Sequence, residues 1–153
     1  EPIDLAPFIE SLVPMWEARR EGVEIAFARP RLGSAIVMGD ESRLARLLDN
    51  LVDNAISFSP PGGLVEIRAA SAGEEVLVSV EDEGPGVAED AREAIFNRFH
   101  SIRAEEDFGR HSGLGLAIAK AIVEGHGGRI EVGQRHDERS GARFVVRFPG
   151  AAT

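Results

Sequence analysis

The chain has 153 residues, a length that suits one globular domain, and 43% of them are hydrophobic, enough for a core. Cysteine is absent, which excludes disulfides and thiolate metal sites, and a formal net charge of −9 opposes binding to a nucleic-acid backbone. No apolar run reaches the roughly 18–20 residues that span a bilayer, and the start at Glu1, without signal peptide or initiator Met, reads as a piece of a longer protein.

In chain order, Asp4 predicts a helix cap, with Pro7 in the first turn, where proline is tolerated. Phe8, Leu12 and Trp16 recur at helical spacing up to a stop at Gly22, and Pro14 inside that span predicts a kink or break. Val23–Ala28 and Ala35–Met38 read as the two short strands of a hairpin. The strongest helical pattern is Ser42–Phe58, with an apolar stripe of Leu44, Leu47, Leu48, Leu51, Ala55 and Phe58. After Pro60-Pro61-Gly62-Gly63, Val65, Ile67 and Ala69 alternate with Glu66 and Arg68. Beyond a Ser71–Gly73 turn, Val76, Val78 and Val80 alternate with Leu77, Ser79 and Glu81, which predicts an antiparallel hairpin. Asp82–Gly86 breaks the pattern, and a short helix over about Glu89–Phe96 follows. Phe99–Ser112 is polar and aperiodic and reads as a mobile loop. Leu114, Ala117, Ile118, Ala121 and Ile122 mark a further helix, stopped by Gly125-His126-Gly127-Gly128. Ile130 and Val132, then Phe144, Val146 and Phe148, mark two last strands. One-sided alternation implies a sheet buried on one face. The expected fold is α/β, a two-layer sandwich: a mixed, mostly antiparallel sheet of about five strands with three main helices on one face.

Four short motifs carry chemistry. Asn50 and Asn54 stand one helical turn apart, opposite the leucine stripe, on the face of Arg43, Arg46 and Ser57. Carboxamides offer oxygen to hard cations and N–H to phosphate, although a solvated polar face has the same composition. Asp82-Glu83-Gly84-Pro85-Gly86 directly follows a strand. Its glycines let the backbone approach a ligand, and its Asp can accept from an amine such as that of adenine; an ordinary turn shares these residues. Ser112-Gly113-Leu114-Gly115-Leu116 opens a helix, where bare N–H groups and the dipole attract anions, and it also fits a hinge. Ile95-Phe96-Asn97-Arg98-Phe99 brackets a cation between two aromatics.

The order Asn50-x-x-x-Asn54, Asp82-x-Gly84-x-Gly86, Phe96/Phe99 and Gly113-x-Gly115 resembles the N, G1, F and G2 boxes of the histidine-kinase catalytic domain, a Bergerat-fold (GHKL) ATPase. The resemblance covers Leu5 to Pro149, with matching context at Asn50–Ala55, Gly113–Ile118, Glu124–Gly128 and Gly141–Phe144. Phe108–Gly113 also resembles alphaproteobacterial envelope sensors related to ChvG.

The resemblance implies that residues 1–153 form one ATP-binding and catalytic domain, with an ATP lid over 100–112. By the same likeness, Asp82 would read the adenine amine, Gly84 and Gly86 would shape a pocket lined by Ile56, Val87 and Ile95, and Asn54, with Asn50 beside it, would hold Mg²⁺ at the phosphates. Gly113, Leu114 and Gly115 would face those phosphates. Ser57 stands where the family often has Lys, and His100-Ser101 where it has Tyr-Arg; Arg98, Arg103, Arg110 and His111 are the candidates to compensate. The implied reaction transfers the γ-phosphate of ATP to a histidine on a dimerisation hairpin, which a response regulator then engages. Hydrolytic and anti-sigma serine-kinase relatives place a Glu where Asn50 stands, and an amide cannot take a proton. Those relatives, and a degenerate domain that binds without transfer, are the alternatives. None of His100, His111, His126 and His136 fits the acceptor's place, so the hairpin is expected outside these residues. The implied setting is the cytoplasmic part of an inner-membrane sensor, with no membrane insertion of this piece and no nucleic-acid partner.

Overall fold

The computed structural model describes residues 1–18, 24–28, 35–97, 115–135 and 139–150. Its strands are β1 (Pro2–Asp4), β2 (Glu24–Ala28), β3 (Ile36–Met38), β4 (Leu64–Ala72), β5 (Glu75–Glu81), β6 (Arg129–Gln134) and β7 (Ala142–Pro149). Its helices are α1 (Leu5–Glu17), α2 (Glu41–Phe58) and α3 (Gly115–Gly125).

Alternation builds the main sheet, ordered β2-β4-β5-β7-β6. Ile67, Val80, Phe144 and Val132 line up across β4, β5, β7 and β6, and Ala69, Val78, Val146 and Ile130 form the next row. These rows enter one core with the apolar side chains of the helices. Next to the Ile67 row, on the opposite face, stand Glu66, Glu81 and Arg143 in register. The sheet is mixed because β2 runs parallel to β4 while the other pairings are antiparallel.

Asp40 caps α2 by accepting from the Arg43 N–H at 3.2 Å. The α2 stripe buries Leu44, Leu47, Leu48, Leu51 and Ala55, and each such leucine contributes about 1.5–3 kcal/mol. Trp16 of α1 is fully buried and donates its Nε1–H to Asp49 Oδ1 at 2.7 Å, tying α1 to α2. His126, after α3, accepts the Asp40 N–H at Nε2 (3.2 Å). Its Nδ1 lies 2.8 Å from the Ile122 carbonyl, a pair of contacts that fits the tautomer with a proton on Nδ1.

Four expectations are corrected. β2 and β3 do not form a hairpin: β2 pairs in parallel with β4, and β3 pairs with β1 in a separate two-stranded sheet. Pro2–Asp4 supplies the edge that β3 uses, and the ribbon is extended by Leu5 N–H to Ala35 O and Gly39 N–H to Glu1 O. Pro14 does not break α1, which continues to Glu17, because fully buried Ile9 and Trp16 anchor the helix on both sides of it. The segment 89–96 is two 3-10 turns, Glu89–Ala91 and Ala94–Phe96. Its buried residues, Ile95 and Phe96, lie in the second of these turns. In α3 the buried residues are Ala119 and Val123, while Ala121 is exposed. This helix is apolar around most of its girth, so periodicity alone does not select the face that meets α2 and β6.

Candidate functional site

The end of β5 fixes the first half of the site. Asp82 is fully buried, and its Oδ1 accepts two backbone N–H groups, from Gly84 at 2.9 Å and Ala142 at 3.2 Å. The Asp82 N–H donates to the Ala142 carbonyl at 3.0 Å, and the Asp82 carbonyl accepts from Arg135 Nη1 at 3.0 Å. Around it, Ser140 Oγ donates to the Gly84 carbonyl at 2.7 Å, and Glu83 Oε1 accepts the Leu64 N–H at 2.7 Å. Gly86 and Gly141 face each other in left-handed or extended positive-φ backbone, at φ 80° and 141°. A Cβ on Gly86 would come within 3.0 Å of the Gly141 carbonyl oxygen, and one on Gly141 would overlap the Asp82 carbonyl oxygen. Ile56, Val87 and Ile95 are buried in the same core. Phe96 meets Phe144 edge-on at 6.0 Å, which seats the second 3-10 turn on β7.

Helix α2 carries the second half. Asn54 is buried, at 6% exposure, and its Nδ2 has no hydrogen-bond partner. The buried Nδ2 of Asn50 has none either. Buried polar atoms are paired in the great majority of cases, so two orphaned amide nitrogens one turn apart make this the candidate place for a polar ligand. Gly115 opens α3 close by: a Cβ there would stand 3.9 Å from Asn50 Oδ1. Ser57 is half-buried on the same face. Arg98, Arg103, Arg110, Gly113 and Leu114, and the lid 100–112, lie outside the described residues.

Sequence reasoning singled out Asp82 and the two Asn residues, and the structure gives each a distinctive environment. Arg135, Ser140 and Glu83 escaped it. A lone Arg after a strand looks exposed in a sequence; only the fold shows Arg135 buried against Asp82. A separate cleft of about 800 Å³ lies between the 3-10 turns, Lys120 and β6, and neither Asp82 nor either Asn lines it. Among the described residues no group of three His, Cys, Asp or Glu could hold a metal, and no helix is long and apolar enough to cross a membrane.

Residues 39–152 match the family described as histidine kinase-, DNA gyrase B-, and HSP90-like ATPase, and the chain belongs to it. Within that family its likeness is to sensor histidine kinases. The sensor protein ChvG of Agrobacterium fabrum is 35% identical over 164 residues, covering 99% of this chain and 28% of its own length. The solved mycobacterial sensor histidine kinase MprB superposes with a TM-score of 0.85 at 31% identity, covering all of this chain and 99% of that one. Full-length ShkA, solved with AMPPNP, matches at TM-score 0.80 and 34% identity over the whole of this chain and 32% of its own. The expected ATPase fold and the ChvG-like resemblance are both borne out.

Proposed function

We propose that this domain binds Mg-ATP and transfers its γ-phosphoryl group to a histidine on the dimerisation hairpin of a two-component sensor kinase, which then serves a response regulator. The observation that carries the reading is the pair Asn50 and Asn54, whose buried amide nitrogens have no hydrogen-bond partner, with Asn50 standing where hydrolytic relatives have a Glu. An amide accepts no proton, so the acceptor must already be nucleophilic. A neutral imidazole meets that need: its nitrogen lone pair forms the N–P bond as the P–O bond to ADP breaks. His126 is not that acceptor, since both its ring nitrogens are engaged within the domain.

Asp82 accepts from the adenine amine, held by the backbone around it, with Gly84 and Gly86 shaping the pocket and Ile56, Val87 and Ile95 lining it. Ser57, Gly113, Leu114 and Gly115, with Arg98, Arg103 or Arg110, face the phosphates. Mg²⁺ suits the second half of the site, because carboxamide oxygens are hard ligands and Mg²⁺ keeps its waters and phosphates instead of needing a carboxylate cage. Asn54, with Asn50 beside it, would hold it; bound there it neutralises phosphate charge. The ShkA–AMPPNP complex supports a nucleotide of this class. The proposed setting is the cytoplasmic part of an inner-membrane sensor.

Two measurements test the reading. The domain should bind ATP in preference to GTP, which presents a carbonyl where ATP carries the amine; equal affinities sink the assignment of Asp82. Joined to a dimerisation hairpin and given γ-labelled ATP, it should yield acid-labile phosphohistidine. Release of free phosphate or an acid-stable phosphoserine would favour the hydrolytic or serine-kinase alternative. Tight binding with no label at all would identify a degenerate domain, the reading that Ser57 favours.

A further inference from the structure

We propose that Arg135 is a positioning residue for base selection, holding Asp82 from behind through its backbone. This inference rests on Asp82 reading the adenine amine.

Asp82 lies one residue past β5, where the ladder to β7 is ending. Its N–H is still paired with Ala142, and its Oδ1 is pinned by two backbone N–H groups. Its carbonyl is taken by the Arg135 guanidinium at 3.0 Å. With N–H, carbonyl and one carboxylate oxygen all held, neither the backbone torsions nor the side-chain rotamer can drift. An acceptor fixed in place bonds an amine and repels a carbonyl, whereas an acceptor free to turn away discriminates less between them.

The arrangement is costly to build, which argues for a purpose beyond joining two strands. Arg135 is 5% exposed, and a buried cation must be paired to be tolerated. Its Nη2 lies 3.8 Å from Glu66 Oε1, and Glu66 Oε2 takes Arg68 Nη2 at 3.0 Å. Glu66 stands in register with Glu81, itself buried and 3.7 Å from Arg143 Nε. The outer face of the sheet thus carries a charge network that ends on the Asp82 carbonyl. The stem of Arg135 also backs Gly141: a Cβ there would come within 2.8 Å of Arg135 Cδ. One side chain therefore holds both residues that bracket the Asp82 turn.

The experiment measures Kd for ATP and GTP in the native domain, Arg135→Met, Arg135→Lys and Asp82→Asn, with thermal melts as a check on folding. Arg135→Met keeps the packed stem and removes the guanidinium; the ATP-over-GTP preference should fall about tenfold. Arg135→Lys keeps the charge, but its ammonium stops short of the Nη positions, and the preference should fall about threefold. A purely structural Arg135 would lower the melting temperature and weaken both nucleotides equally. A native ATP-to-GTP ratio in either folded variant, while Asp82→Asn collapses it, overturns the inference and leaves the base reading intact. If Arg135→Met does not fold, the ratio in Arg135→Lys decides alone. A native ratio in Asp82→Asn overturns the base reading and the inference together.

Discussion

The two ends of the site solve opposite problems. At the proposed base-reading end, the protein satisfies its own polar groups: Asp82 accepts from the Gly84 and Ala142 N–H groups, donates its N–H to the Ala142 carbonyl, and accepts from Arg135 at its own carbonyl. At the proposed phosphate end, Asn50 and Asn54 keep buried amide nitrogens with no protein partner. A group that must discriminate is fixed in advance, so that the wrong partner meets an acceptor that cannot adapt. Groups that must hold a charged ligand leave their bonding capacity to that ligand, at a cost in the free protein of roughly 1–3 kcal/mol for each unsatisfied atom.

This contrast can be broken or sharpened by substitution, beginning where stability should suffer most. Gly141→Ala would drive a methyl into the Asp82 carbonyl oxygen from a positive-φ position. It should cost about 3 kcal/mol of stability, seen as a lower denaturation midpoint. Asp82→Asn should keep an oxygen for the two backbone N–H groups while placing an amide donor where the base amine must be accepted. ATP affinity should drop about 10- to 150-fold by calorimetry, the equivalent of one charged hydrogen bond. Ser140→Ala deletes the bond to the Gly84 carbonyl, and about 1 kcal/mol of stability should go with it. Asn54→Ala should be nearly silent in the same melts, within about 0.5 kcal/mol, because relief of the orphaned donor offsets the packing lost from a buried side chain. That variant should nonetheless lose the magnesium dependence of ATP binding while still binding adenosine. If Asn54→Ala instead unfolds the domain, Asn54 belongs to the core and the contrast between the two ends disappears.

How much was legible follows the same division. Periodicity located α2 and the β4–β5 hairpin because Leu44 to Ala55 and Val65 to Val80 repeat at the intervals that burial imposes. The motif spacing located Asp82 and the Asn pair. What sequence could not reach was non-local. β2 finds a parallel partner some forty residues on, and β3 returns to the first residues of the chain. No local pattern encodes either choice, since a three-residue strand such as β3 carries too few side chains to declare its partner. Arg135 was hidden for a related reason: its burial comes from Glu66, Asp82 and Gly141, three distant positions that only the folded sheet brings together. In α3 the sequence was apolar on too many sides for its buried face to be chosen without its neighbours.

The chain has one tryptophan and no tyrosine. Its intrinsic fluorescence therefore comes from Trp16, whose indole N–H donates to Asp49, the residue directly before Asn50 on α2. The emission colour and yield of that ring will report whether α1 and α2 stay docked, without any attached dye. A titration with nucleotide or denaturant in a cuvette can follow this joint directly, and Trp16→Phe supplies the dark control.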